Sequence, residues 1–255
     1  MKFILKIFAF IVFFSLFFYG LRETDFYNSK IILADLGGIP WLYASIGTLF
    51  SILAGFIIQK EWENWNNLVD AVNGEVHTLK ELWLWSRYLP PEIGLVFHNA
   101  IELYLKEMSD NGLYKSERNI ASSEIEASIS SLNSVTFNLF ESQPKIATNT
   151  FVFFTELIKK REERIRYSSH HVPHFIKGVI FSVTALMILL SMFIGVKNIW
   201  LDYIFTFSVS MLSYVIYLMI DDLDHPLVPG GWHVTAHPYQ KLLNEISTIK
   251  NMAIK

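Results

Sequence analysis

The chain has 255 residues, 52% hydrophobic and 15% aromatic, with a mean hydropathy of +0.33. Those values are too apolar for an ordinary soluble domain and point to a membrane protein. The net charge of -3 argues against a nucleic-acid partner, and the absence of cysteine removes disulfides, thiolate nucleophiles and cysteine-based metal sites.

Residues 1–20 carry Lys2 and Lys6 and then an apolar run ending near Phe17, Phe18 and Tyr19. A cleaved signal peptide wants small residues at its end, so a retained first transmembrane helix is expected. Residues 21–40 are a polar connection holding Arg22, Glu23, Asp25, Asn28 and Asp35, closed by a Gly37-Gly38-Ile39-Pro40 break. From Trp41 to Ile58 the chain is apolar and uncharged, close to the roughly 20 residues that span a bilayer. It runs on into Gln59, Lys60, Glu61 and Glu63 with no Gly or Pro to stop it, so one helix should leave the membrane and continue as a soluble helix.

Residues 60–172 are polar, charged and helical in pattern. Leu68, Val72, Val76, Leu79 and Trp83 recur at steps of three and four, as on one helix face. Pro90-Pro91 ends that helix. Further helices are expected at Glu92 to Met108, Ser116 to Ser142 and Thr148 to Ser169. A turn at Asp110-Asn111-Gly112 and Pro144 separate them. The last of these ends in the basic run Lys159, Lys160, Arg161, Arg164, Arg166. Third and fourth spans follow at Phe175 to Val196 and Ile199 to Ile220, joined by Lys197-Asn198. A loop and a short helix near Pro238 to Met252 complete the tail.

The expected fold is therefore an all-α membrane protein. It has four transmembrane helices and a helical cytosolic block between the second and third spans. The parts are a first transmembrane pair at 1–59, the block at 60–174, a second pair at 175–220 and a tail at 221–255. Only Arg22, Lys30 and Lys197 fall on the side opposite the other Lys and Arg residues, so both termini are expected to be cytoplasmic.

Three stretches carry a family resemblance: Gly55-Phe56-Ile57-Ile58 with Trp62 and Trp65, Asn73-Gly74-Glu75 with Leu79, and Asp222-Leu223-Asp224-His225-Pro226-Leu227. Arg161, Arg164 and Pro173 add to them. Together with the layout they resemble the bestrophin-like domain proteins of bacteria, distantly similar to bestrophin anion channels. The resemblance implies a homopentamer with an axial pore lined by the second span. It also implies conduction of inorganic ions, with anions such as chloride expected. Two departures stand out. Bestrophins line the neck with repeated Phe, whereas here Ile52 and Thr48 precede Phe56. Bestrophins also follow the Asp-Pro step with acidic residues that clasp calcium, whereas Val228-Pro229-Gly230-Gly231-Trp232 follows here.

The candidate pore face is Ser45, Thr48, Leu49, Ile52, Phe56 and Gln59. An apolar ring can gate by dewetting, with hydroxyls or amides beside it. Packing on neighbouring helices is the competing use of that face. Asp222, Asp224 and Pro226 are expected to tie the tail for assembly, with an acidic side chain facing the basic run. Arg161, Arg164 and Arg166 either draw anions to a vestibule or enforce topology. Asp202, near the outer start of the fourth span, is expected to be solvated. His170, His171, His174, His225, His233 and His237 match no ligand spacing, and neither a metal nor a cofactor is expected. No hydrolase, zinc-protease, phosphate-loop or dinucleotide signature is present, so no enzyme is expected. The rival to a channel is a non-conducting membrane scaffold or sensor that binds a partner through its cytosolic block.

Overall fold

The computed structural model describes residues 2–23, 39–113, 122–193 and 198–253, and among them there is helix and connecting turn but no strand. The helices are α1 (Lys2–Glu23), α2 (Ile39–Ser86), α3 (Pro91–Glu107), α4 (Ser123–Ser142), α5 (Pro144–Ser168), α6 (His174–Phe193), α7 (Ile199–Leu223) and α8 (His237–Ala253). The expected connection at 21–40 lies mostly outside the described residues, as does Lys197.

α2 runs 48 residues without a break. It stops at Ser86 because Pro90 and Pro91 follow, and the residue before a proline is pushed out of the helical region. Pro91 then starts α3 at a position where its missing N–H is no loss. Gly94 is required at this corner, since a Cβ there would sit 2.8 Å from the Ser86 carbonyl oxygen. The expected turn at Asp110-Asn111-Gly112 is instead a π-helical extension of α3, Met108–Gly112. Similarly, α5 begins at Pro144 itself rather than at Thr148, because proline suits a first helical turn.

Helices α2, α6 and α7 are long and apolar enough to cross a membrane, and α1 carries a shorter apolar stretch, Ile4–Gly20. The chain divides into two compact units. One is Met1–Glu63 with His171–His225 and Pro229–Trp232. The other is Asn64–His170 with Pro226–Val228 and His233–Lys255.

Aromatic packing organises the first unit. Phe14 and Phe18 of α1 are buried with Met192 of α6, against Tyr203 and Phe207 of α7. Phe10 stacks on Tyr214 at 4.3 Å between centroids. A second cluster joins Phe50, Ala54, Ile57 and Ile58 of α2 to Ile176, Ile180 and Val183 of α6 and Ile216 and Ile220 of α7. Helices α6 and α7 meet through small polar residues, with Ser191 and Ser210 hydroxyls 3.2 Å apart. Small side chains of this kind allow close approach of helices in a membrane.

The second unit has one large core. Leu68, Val72, Leu79, Leu82 and Trp83 of α2 pack with Phe97, Ile101, Tyr104 and Leu105 of α3. Leu132 of α4, Leu157 of α5 and Tyr239, Leu242 and Ile246 of α8 complete it. The face expected from Leu68 to Trp83 is the face that α2 buries, with Val76 partly buried beside it.

Candidate functional site

The face proposed from sequence as a pore lining is exposed along its whole length. Ser45, Thr48 and Gln59 are exposed, as are Leu49 (69%), Ile52 (54%) and Phe56 (72%). At 3.6 residues per turn these six residues lie within an arc of about 100°. Phe50, Ala54, Ile57, Ile58 and Glu61 occupy the opposite side of the helix, and the first four of them pack on α6 and α7. The six carry no formal charge. Ser45 and Thr48 donate their hydroxyl protons to Trp41 and Ala44 carbonyls, both at 2.9 Å, and so present oxygen lone pairs outward. Gly55 has open space around it, and Gly47 accommodates the Met187 methyl, 3.1 Å from where a Cβ would lie.

The Asp222-Leu223-Asp224-His225-Pro226 step builds two separate structures. The Asp222 carboxylate accepts the N–H groups of Gly231 at 2.7 Å and Trp232 at 2.9 Å. Gly230 is required there, because any Cβ would collide with that carboxylate. Asp224 is fully buried, pairs with Lys177, and accepts the Val172 N–H. Both acids therefore find partners within the first unit. Asp221 pairs with Lys6 at 3.2 Å. The Pro226 carbonyl accepts the Val234 N–H at 2.7 Å and so fixes the start of the tail.

The three arginines have different fates. Arg164 is buried, 1% exposed, and its Nε donates to Glu75 at 2.5 Å. Tyr104 donates its hydroxyl to the other oxygen of Glu75. Burial opposes the Arg164 charge, but the carboxylate outweighs it and raises the guanidinium's pKa. Burial and then the Glu75 charge push the Tyr104 phenol up as well. The expected vestibule role does not suit Arg164, whose charge is neutralised in the interior. Arg161 pairs with Glu126, and Arg166 is exposed, its guanidinium 4.9 Å from the Tyr167 ring centre. The Asn73-Gly74-Glu75 motif also makes sense: Gly74 leaves room for the Lys160 stem, whose Cδ would lie 2.9 Å from a Cβ.

Asp202 is a correction. It is fully buried rather than solvated, in the first turn of α7. An acid in that turn is favoured by the helix dipole. Among the described residues no group of three His, Asp or Glu side chains is placed to hold a metal ion. Sequence reading missed Glu61, which is 2% exposed, with Oε2 buried and lacking a hydrogen-bond partner. The signal was available, because Glu61 lies four residues past Ile57 on the buried stripe.

Among the described residues the secondary structure is helical, with three helices able to cross a bilayer, and this defines an integral membrane protein. The Bestrophin-like domain model matches residues 39–238, and the chain belongs to that family. Solved structures of similar fold include a membrane protein variant, with TM-score 0.70 and 14% identity over 94% of this chain and 96% of that one. Two single-substitution variants of a bacterial bestrophin homologue from Klebsiella pneumoniae are also similar. One has TM-score 0.68 and 12% identity over 86% of this chain and 95% of its own. The other has TM-score 0.66 and 15% identity over 96% and 98%. No curated protein matches the chain.

Proposed function

We propose that the chain is one subunit of an oligomeric bestrophin-type ion channel whose pore is lined by the face Ser45, Thr48, Leu49, Ile52, Phe56, Gln59 of α2. The observation that carries this reading is the two-sidedness of α2 in the first unit. One side packs on α6 and α7, and the opposite side is exposed, uncharged, and graded from hydroxyls through apolar residues to an amide. Such a face in a ring of subunits gives an apolar constriction with polar ends, which gates by wetting and dewetting. Four spans, with α1 as the first, place both termini and the helical block in the cytoplasm, and the Lys and Arg distribution supports that orientation.

A homopentamer and anion conduction come from the family resemblance. Because the face has no formal charge, discrimination between anions and cations falls to dipoles and to the approach. Arg166 is exposed and Arg161 is held by Glu126. A scaffold that conducts nothing is the second reading. It is favoured by exposed Phe137, Phe140, Phe151 and Val152 on α4 and α5, a surface suited to a partner. Two measurements test the proposal. Mass of the purified protein in detergent should correspond to a closed ring, and a monomer or dimer would rule out an axial pore. Reversal potentials in a salt gradient should shift toward the anion equilibrium potential, and a shift toward the cation potential would overturn the anion assignment.

A further inference from the structure

Glu61 stands where the pattern of α2 asks for an apolar residue. Phe50, Ala54, Ile57 and Ile58 form the stripe that packs on α6 and α7, and Glu61 continues it by one turn. The charged and titratable groups acting on it come from every element that meets it there. They are Asp224 at the end of α7, Lys177 of α6, His171 just before α6, and Lys60 on α2 itself. His225 joins through Asp224, at 3.6 Å, and its ring lies 5.6 Å from that of His171. Lys177 is already paired with Asp224, and Lys60 is 65% exposed, 3.8 Å from Glu63. Lys177 is therefore taken up by Asp224, and Glu61 Oε2 stays without a hydrogen-bond partner. A buried carboxylate without its own partner takes up a proton in preference to holding an unpaired charge. Burial first, and then the charge of Asp224, raise the Glu61 carboxyl above its ordinary value, against the opposing pull of Lys60, His171 and Lys177.

We propose that Glu61 is a proton-operated latch on the second helix: with its carboxyl protonated, α2 stays packed against α6 and the Asp224 turn, and loss of that proton loosens this packing. The packing claim is independent of conduction, whereas its effect on current rests on the channel reading. The folded state holds the Glu61 proton more tightly than the unfolded chain does. The associated stability is present in full below the ordinary glutamate range and is lost as pH rises through the raised folded-state value. The variants isolate the part of the slope that belongs to Glu61.

The test is thermal unfolding of the full-length protein in detergent from about pH 5 to about pH 8.5, for wild type, Glu61→Gln and Glu61→Leu. The amide keeps the shape without the charge, and leucine restores the apolar stripe, so either variant alone suffices if the other does not fold. Wild type should lose on the order of 3 °C or more from the acid to the alkaline end. The variants should lose that part of the slope and melt higher than wild type at the alkaline end. Equal slopes in wild type and variant overturn the latch. Currents measured over the same pH range separate the two readings. A pH-dependent open probability that disappears in Glu61→Gln supports the latch as a gate. A silent protein that keeps the Glu61-dependent slope supports the latch and overturns the channel.

Discussion

At the scale of single residues, the decisive contacts in the second unit are buried charges. Glu75 receives Arg164 and Tyr104 at once, so neither carboxylate oxygen is left bare. Breaking a buried pair strands the remaining charge, which costs about 3–5 kcal/mol. Arg164→Ala should therefore sharply lower the melting temperature and the yield of folded protein. Tyr104→Phe removes one bond to a charged acceptor and should cost about 1.5–3 kcal/mol. Thermal melts of both variants check the order, and a Tyr104→Phe loss as large as that of Arg164→Ala would contradict it. In the sequence Arg164 stands in a run of basic residues, where anion attraction and topology are both open to it. The helical register identifies it: Ala147, Thr150, Phe154, Leu157, Arg164 and Ser168 form one buried face of α5. Glu75, 89 residues away, could not be paired with it from spacing, since only tertiary packing joins the two.

At the scale of elements, the apolar runs were legible because hydrocarbon length and composition alone fix them. The continuity of α2 past Ile58 was legible because no helix breaker interrupts it. The turn after α7 was not. Asp222 accepts two backbone N–H groups from residues nine and ten positions on, across Pro229-Gly230-Gly231, and no short-range pattern announces such a loop. Asp222→Ala leaves those donors without their acceptor; Gly231 is exposed and Trp232 half-buried, so water replaces it in part and the loss is about 0.5–1.5 kcal/mol. Hydrogen exchange at Gly231 and Trp232 should rise, while exchange in α3 and α4 should not change. Unchanged exchange at Gly231 would show that the carboxylate does not hold the loop. Gly230→Ala should produce the same local loosening, because a Cβ displaces the carboxylate from its place.

For the whole molecule, the proposed orientation rests on charge placement and the proposed assembly on the exposed side of α2. Reporter fusions at Asn28 and at Asn111 should report opposite sides of the membrane, and the same side for both would contradict four spans. The face proposed for the pore was visible in the sequence as a stripe of hydroxyl, apolar and amide residues. Its exposure depends on which side of α2 meets α6 and α7, which the sequence does not encode locally. Phe56 is the centre of the account, as the bulkiest side chain on that face and 72% exposed in the subunit. The most direct test is single-channel recording of wild type and Phe56→Ala in bilayers, with a thermal melt of each. A pore constricted by Phe56 predicts larger unitary conductance or a standing leak in the variant, with a melting temperature within about 2 °C of wild type. Unchanged current together with a clear loss of stability would contradict it, and would place Phe56 against lipid or a neighbouring helix.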